Sequence, residues 1–326
     1  MAIRASIREP NYDSFFEPAG PGQPARLRIR LRVGLVPLDP STPWARAGHA
    51  SKLPGTPVGR LPPAHLAANE ADMRRGNVLD ASDQPVRCRS WLVNEWQAFA
   101  ARFKHVVETA WNNQMVFLPI EHGDSLSDAD FRQLIGNPNV PAHVVGALEV
   151  DLQPAGADSH AIIEVAHLID PGDSFRQRMT RISDESVVSK VHHFHLGRPR
   201  GIGGEASQVA AAHEVGHWLR NPTETVFNHI DRSYASTLPE EQQDEAQYGR
   251  TLERFQSIMG AGSVVTSQDA APWLGRLRRQ TPMRLGWDHV HKVHFQWTAD
   301  HVSPRQRRLL LVDGFVPRIV RLGNGA

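Results

Sequence analysis

Cysteine is nearly absent from this chain: Cys88 is the only one in 326 residues. A single thiol excludes an intramolecular disulfide and any metal site built from clustered cysteines. Excess charge of either sign is missing as well, with 36 Lys and Arg against 35 Asp and Glu. Nothing in that balance selects nucleic acid or an anionic membrane as a partner. No run of about 18 apolar residues occurs, which excludes a membrane-spanning helix. The start, MAIRASIREP, carries charges where a signal peptide needs its apolar stretch. The expected location is therefore the cytoplasm, or the exterior by a route other than general secretion. With 40% apolar and 22% charged residues, disorder, collagen and coiled coil are excluded too. Histidine, by contrast, is abundant at 17 residues, so a metal site is sought there first.

The segment up to about Arg26, rich in Pro, Gly and charge, is expected to wrap the surface or fray. Arg28 to Val36 alternates, with Ile29, Leu31, Val33 and Leu35 opposite Arg28, Arg30 and Arg32, the pattern of a half-buried strand. From Pro37 to about Pro85 prolines and glycines recur too often for a long regular element, LPPAHLAANEADMRR being the one stretch suited to a short helix. Ser90 to Asn112 places Leu92, Trp96, Phe99, Phe103, Val106, Val107 and Trp111 at three- and four-residue intervals, the signature of an amphipathic helix lying on a sheet. Apolar runs at Gln114 to Ile120, Val144 to Leu152, His160 to Leu168 and Lys190 to Leu196 predict four further strands. Glu205 to Arg220 returns to a helical period, with Ser207 as N-cap and Asn221-Pro222 as the stop. Beyond it a short helix is expected at Trp273 to Arg279 and strands at Trp287 to Trp297 and Arg308 to Val312.

That last long helix carries His213, Glu214, Val215, Gly216 and His217. Four residues make just over one turn, so both imidazoles project from one face about 6 Å apart, within reach of one ion. Glu214 stands one step round the helix, placed to take a proton from a zinc-activated water while the cation polarises a carbonyl. Hydrolytic zinc needs a third protein ligand, leaving the fourth position to water.

A helix bearing HEVGHWLRNPTE, followed by FQSIMGAGSVV, resembles the metzincin clan of zinc peptidases, whose HExxHxxGxxH or HExxHxxGxxD consensus precedes a methionine turn beneath the metal. Bacterial members reading HExGHxLGNPDEY with a later IMGxG are the nearest in pattern, and in them the Asp is the third ligand. The resemblance implies an α+β fold: a twisted mixed five-stranded sheet with two main helices, a smaller C-terminal subdomain, and zinc in the cleft between. It implies Met259 as the turn methionine. The chain divides on this reading into 1–90, an N-terminal strand and a long Pro/Gly-rich insertion; 91–220, the catalytic subdomain with the zinc helix; and 221–326, the subdomain with the Met turn and closing strands.

The chain departs from the consensus where the third ligand belongs: Arg220 replaces the family glycine and Thr223 occupies the ligand position. A threonine hydroxyl is a poor zinc ligand. If Asn221 ends the helix one residue late, the following chain slips by one and Glu224 comes round to the metal. Glu224 is the chosen third ligand, with Glu245 or Asp244 next, since thermolysin-like enzymes take a glutamate from a later helix, and then His229 and Asp231. The implied function is a zinc-dependent metallopeptidase: His213, His217 and Glu224 bind one Zn2+, Glu214 is the general base, and the substrate is a protein or peptide. The alternative is a catalytically idle relative serving as a structural or cargo component of a bacterial secretion or injection apparatus. Zinc hydrolysis of a non-peptide amide is a third reading.

Other features are read more plainly. His192, His193 and His195 lie on a strand whose polar face lines the cleft or meets solvent. The His160 to Leu168 strand is expected at the sheet edge, where an extended peptide could pair. Tyr234 and Tyr248 are expected to pack, Ala261 standing where some metzincins carry an oxyanion-stabilising tyrosine. Pro85-Val86-Arg87-Cys88 loosely resembles the latency segment of matrix metalloproteinases, although a lone cysteine is most often a small buried apolar residue.

Overall fold

In the computed structural model the described residues are 6–18, 24–38, 77–79, 85–112, 114–120, 144–169, 177, 179–194, 204–219, 229–230, 235–238, 246–249, 251–266, 268–280 and 286–291. The strands are β1 (Ser6–Ile7), β2 (Asp13–Glu17), β3 (Ala25–Pro37), β4 (Asn77–Leu79), β5 (Pro85–Arg87), β6 (Met115–Ile120), β7 (Val144–Gln153), β8 (Ala161–Ala166), β9 (Arg181–Ser183), β10 (Ser189–Phe194), β11 (Gly204–Val209) and β12 (Gly286–His291). The helices are α1 (Val93–Trp111), α2 (Ala210–Gly216), the single turn α3 (Leu252–Phe255) and α4 (Ala271–Gln280). The architecture is α+β. No helix among the described residues is long and apolar enough to cross a membrane.

β3 is the spine of a mixed sheet. Its alternation buries Leu27, Ile29, Leu31 and Val33 on one face, while Arg28 and Arg30 reach Glu149 on β7 from the other. Val33 pairs with Leu152 of β7 and also with Ala161 of β8, so β7 lies on one side of β3 and β8 on the other, both parallel to it. β2 runs antiparallel along the lower half of the β8 side, with β1 beyond it. β6 and then β12 extend the sheet past β7, each antiparallel to its neighbour. With β9 alongside β8, the sheet has eight strands, not the expected five. Four expected strands, β3, β6, β7 and β8, lie in it, joined by β1 and β2 from the N-terminal segment expected to fray, by the short β9 and by β12, while the expected strand β10 pairs apart with β11.

β8 is not the expected edge strand. β3 flanks it on one side and β9 on the other over Glu164 to Ala166, and all six of its residues are buried. Two-stranded pairs stand apart from the main sheet at β4–β5 and β10–β11.

α1 lies on the sheet as its period requires, burying Phe99, Phe103, Val107 and Trp111 at four-residue spacing. The adjoining flank is fixed by polar clamps to β7: Glu108 accepts from the Val150 amide at 2.8 Å, and the Asn112 side chain bonds both the N–H and the C=O of Leu148. The helix expected over Glu205 to Arg220 is shorter. Gly204–Val209 is strand β11, paired antiparallel with β10, and the helix runs only from Ala210 to Gly216 with Val209, not Ser207, as N-cap. Ala206 and Gln208 are buried while Glu205 and Ser207 face out, a period of two that pairing with β10 satisfies. The stretches expected as helix at 61–75 and strand at 308–312, and the Asn221 helix stop, lie outside the described residues.

Candidate metal centre

α2 is anchored on the core before it carries any chemistry. The Trp111 indole donates to the Ala212 carbonyl at 3.0 Å and stacks on Trp273 of α4, while Trp218 donates to the Met179 carbonyl at 2.7 Å. His213 and Glu214 are buried in α2, and His217, also buried, follows as its C-cap in helical conformation. The two imidazoles therefore keep the one-turn spacing, their ring centroids 4.9 Å apart.

A third imidazole joins them. The ligand atoms of His213, His217 and His229 lie within 4.8 Å of one another. The ring of His229 stacks on that of His213 at 5.1 Å and meets that of His217 edge-on at 4.8 Å. Glu224, the third ligand expected from sequence, lies outside the described residues, as do Asp231, Asp244 and Glu245. His229 follows the consensus ligand position, Thr223, by six residues (229 − 223).

Hydrogen bonds fix which nitrogen each ring offers. His213 donates from Nδ1 to the Ile258 carbonyl at 2.8 Å, which leaves the lone pair on Nε2. That Nε2 is buried and has no hydrogen-bond partner. An unpaired buried nitrogen costs stability unless something else is meant to meet it. His229 donates from Nδ1 to Oε1 of Gln247 at 2.8 Å, which likewise sets its lone pair on Nε2. Burial first, and then the neighbouring His217 and His229, hold His213 well below the ordinary histidine range, so its ring is neutral at pH 7. Neutral imidazoles with an outer N–H engaged by an oxygen are the donor set that zinc takes, so the residues fit that ion.

The floor of the centre is the segment Ser257 to Gly260. Ile258 and Met259 are each 1% exposed, and a Cβ on Gly216 would lie 2.3 Å from Sδ of Met259. The glycine inside HEVGH is thus where the methionine packs against α2. Replacing a helical Gly by Ala favours the helix by about 1 kcal/mol. Overpacking against an enclosed Met259 and the Trp111 ring costs about 1–3 kcal/mol, so Gly216→Ala is expected to lower the melting temperature of the metal-free chain. Met259→Ala in the same chain should remove that penalty in a double-mutant cycle, and additive effects would sink the contact.

No protein-family model, curated protein or solved structure matches the chain.

Two outer residues have no local spacing in the sequence that announces them. Gln247 orients His229, and Gln208 donates to the Gly260 carbonyl at 2.7 Å beside Nδ1 of His213. Tyr248 packs as expected, against Ala206, Phe255 and Ala261, with its ring 4.5 Å from that of His229 and 5.9 Å from that of His213. His192 shares the inner face of the β10–β11 hairpin with Ala206 and Gln208, while His193 pairs with Glu205 on the exposed face at 3.3 Å. His195 lies outside the described residues. Cys88 is buried and bridges to Leu168, and burial with Asp184 nearby pushes its thiol up to about 12. Burial beside Leu168 is what a lone, packed core cysteine shows.

Proposed function

We propose that the chain is a zinc-dependent metallopeptidase in which His213, His217 and His229 hold one zinc ion and Glu214 is the general base. The observation that carries this reading is the convergence of three imidazoles around the orphaned, buried Nε2 of His213, on a helix whose next residue is a buried carboxylate. The Met259 side chain packed against Gly216 supports the likeness to a methionine turn beneath the metal.

When bound, zinc supplies Lewis-acid polarisation of the scissile carbonyl and lowers the pKa of an adjacent water toward about 7. His213 and His217 bring their nitrogens from one helix face, and His229 brings the third from a separate segment. Glu214 takes a proton as the water oxygen attacks the carbonyl carbon, then delivers it to the departing amine nitrogen, so that the C–N bond breaks without releasing an unprotonated amide. The substrate on this reading is a protein or peptide.

Zinc per chain, measured after saturation and dialysis, should be one, and peptide-library or casein cleavage should disappear on chelation and return with zinc. One bound zinc with no turnover of any peptide points instead to the idle relative or to a non-peptide amide. A metal-free chain under saturating zinc overturns the reading altogether.

A further inference from the structure

The side chains that would grip the ion are aimed by one small piece of backbone. The Ile258 carbonyl accepts from Nδ1 of His213 at 2.8 Å, and the Met259 carbonyl accepts from the amide of Ile230, the residue after His229, at 3.2 Å. The Gly260 carbonyl accepts from Gln208 at 2.7 Å. Three successive carbonyls therefore reach α2, the His229 segment and β11. Any tilt of this turn would move two of the three imidazoles relative to the third.

What holds the turn is a buried carboxylate. Asp269 is fully buried and accepts from Oγ of Ser257 at 3.0 and 2.8 Å, and from both the amide and the hydroxyl of Thr266 at 2.7 Å. Oγ of Ser257 in turn accepts from the Met259 amide at 3.1 Å. Burying a carboxylate is costly unless its oxygens are satisfied by strong donors. The same Asp269 sits just ahead of α4, which is pinned to the sheet by the Trp273 indole donating to the Ala147 carbonyl at 3.0 Å. The turn is thus tied through Asp269 to the start of α4 and so to the sheet on which α4 is pinned.

We propose that Asp269 is a positioning residue of the metal centre, locking the Ser257–Gly260 turn through the Ser257 hydroxyl so that its carbonyls hold His213 and the His229 segment in ligating register. The proposal rests on the reading of the three histidines as a zinc site. It does not depend on which bond the protein cleaves. A plain helix-capping role for Asp269, through Thr266, would stabilise α4 equally with and without metal. A positioning role shows instead in the affinity for the ion, as outer partners of zinc ligands do.

The test is zinc affinity by chelator competition in the full chain, with the visible absorption of the cobalt form as a spectroscopic check on coordination. Asp269→Asn and Ser257→Ala should each weaken zinc binding roughly tenfold or more and alter the cobalt spectrum, while circular dichroism shows a folded chain. Ser257→Thr, which keeps the hydroxyl, should recover most of the affinity. Val150→Ala, a buried change in β7, is the control for a general loss of stability and should leave zinc affinity at the wild-type value. If Asp269→Asn does not fold, Ser257→Ala alone decides. Folded variants that bind zinc as tightly as wild type, or no more weakly than the Val150→Ala control, overturn the positioning role while leaving the metal site standing. A wild-type chain that takes up no zinc overturns both.

Discussion

His229→Ala is expected to abolish stoichiometric zinc binding and, with it, all chelator-sensitive hydrolysis. The side chain lies with its ring about as close to each of the other two imidazoles as they are to each other, at 5.1 and 4.8 Å against 4.9 Å. Removing it leaves two ligands where catalytic zinc takes three. Losing a direct ligand must cost more than losing an outer partner, which is worth roughly 10–100-fold in affinity. Gln247→Ala, which deprives His229 of the acceptor for its Nδ1 proton, should fall in that smaller range. Glu224→Ala should keep one zinc per chain. The three variants form an ordered series, measured by metal content after dialysis against a weak chelator. Metal lost from Glu224→Ala and retained by His229→Ala would reverse the assignment and restore the carboxylate as third ligand.

The two halves of the centre were not equally legible in the sequence, and the reason is physical. His213, Glu214 and His217 sit within one helical turn, so their side-chain geometry follows from a local period that any reader of the sequence can count. His229 is separated from His217 by a segment with no such period, and its place is set by a tertiary bond between the Ile230 amide and the Met259 carbonyl. It therefore stood among several alternatives. The same distinction runs through the fold. α1 was visible because seven apolar residues recur at three and four, and β3 because it alternates over a long stretch. β11 resembles a helix in sequence because its alternation is short and runs straight into Val209 and three alanines; its identity depends on pairing with β10. β2 was missed for a related reason: Asp13–Glu17 is short, lies between Pro10 and Pro18, and becomes a strand only against β3.

Glu214→Gln is expected to leave zinc stoichiometry and folding intact while reducing kcat by roughly 10²–10⁴-fold, the usual contribution of a general acid–base group. The substitution keeps the size and shape of the side chain in a site where Glu214 is only 8% exposed, so a packing loss cannot account for an effect of that size. It removes the one function a glutamine cannot supply, which is to accept a proton from the attacking water and return it to the leaving nitrogen. KM should change little, because the group acts on the proton in transit and not on substrate binding. A Glu214→Gln chain that binds one zinc and cleaves peptides at the wild-type rate would remove Glu214 from the reaction, and with it the catalytic reading of the helix. Equal loss of metal and activity would instead make Glu214 a structural prop of the centre.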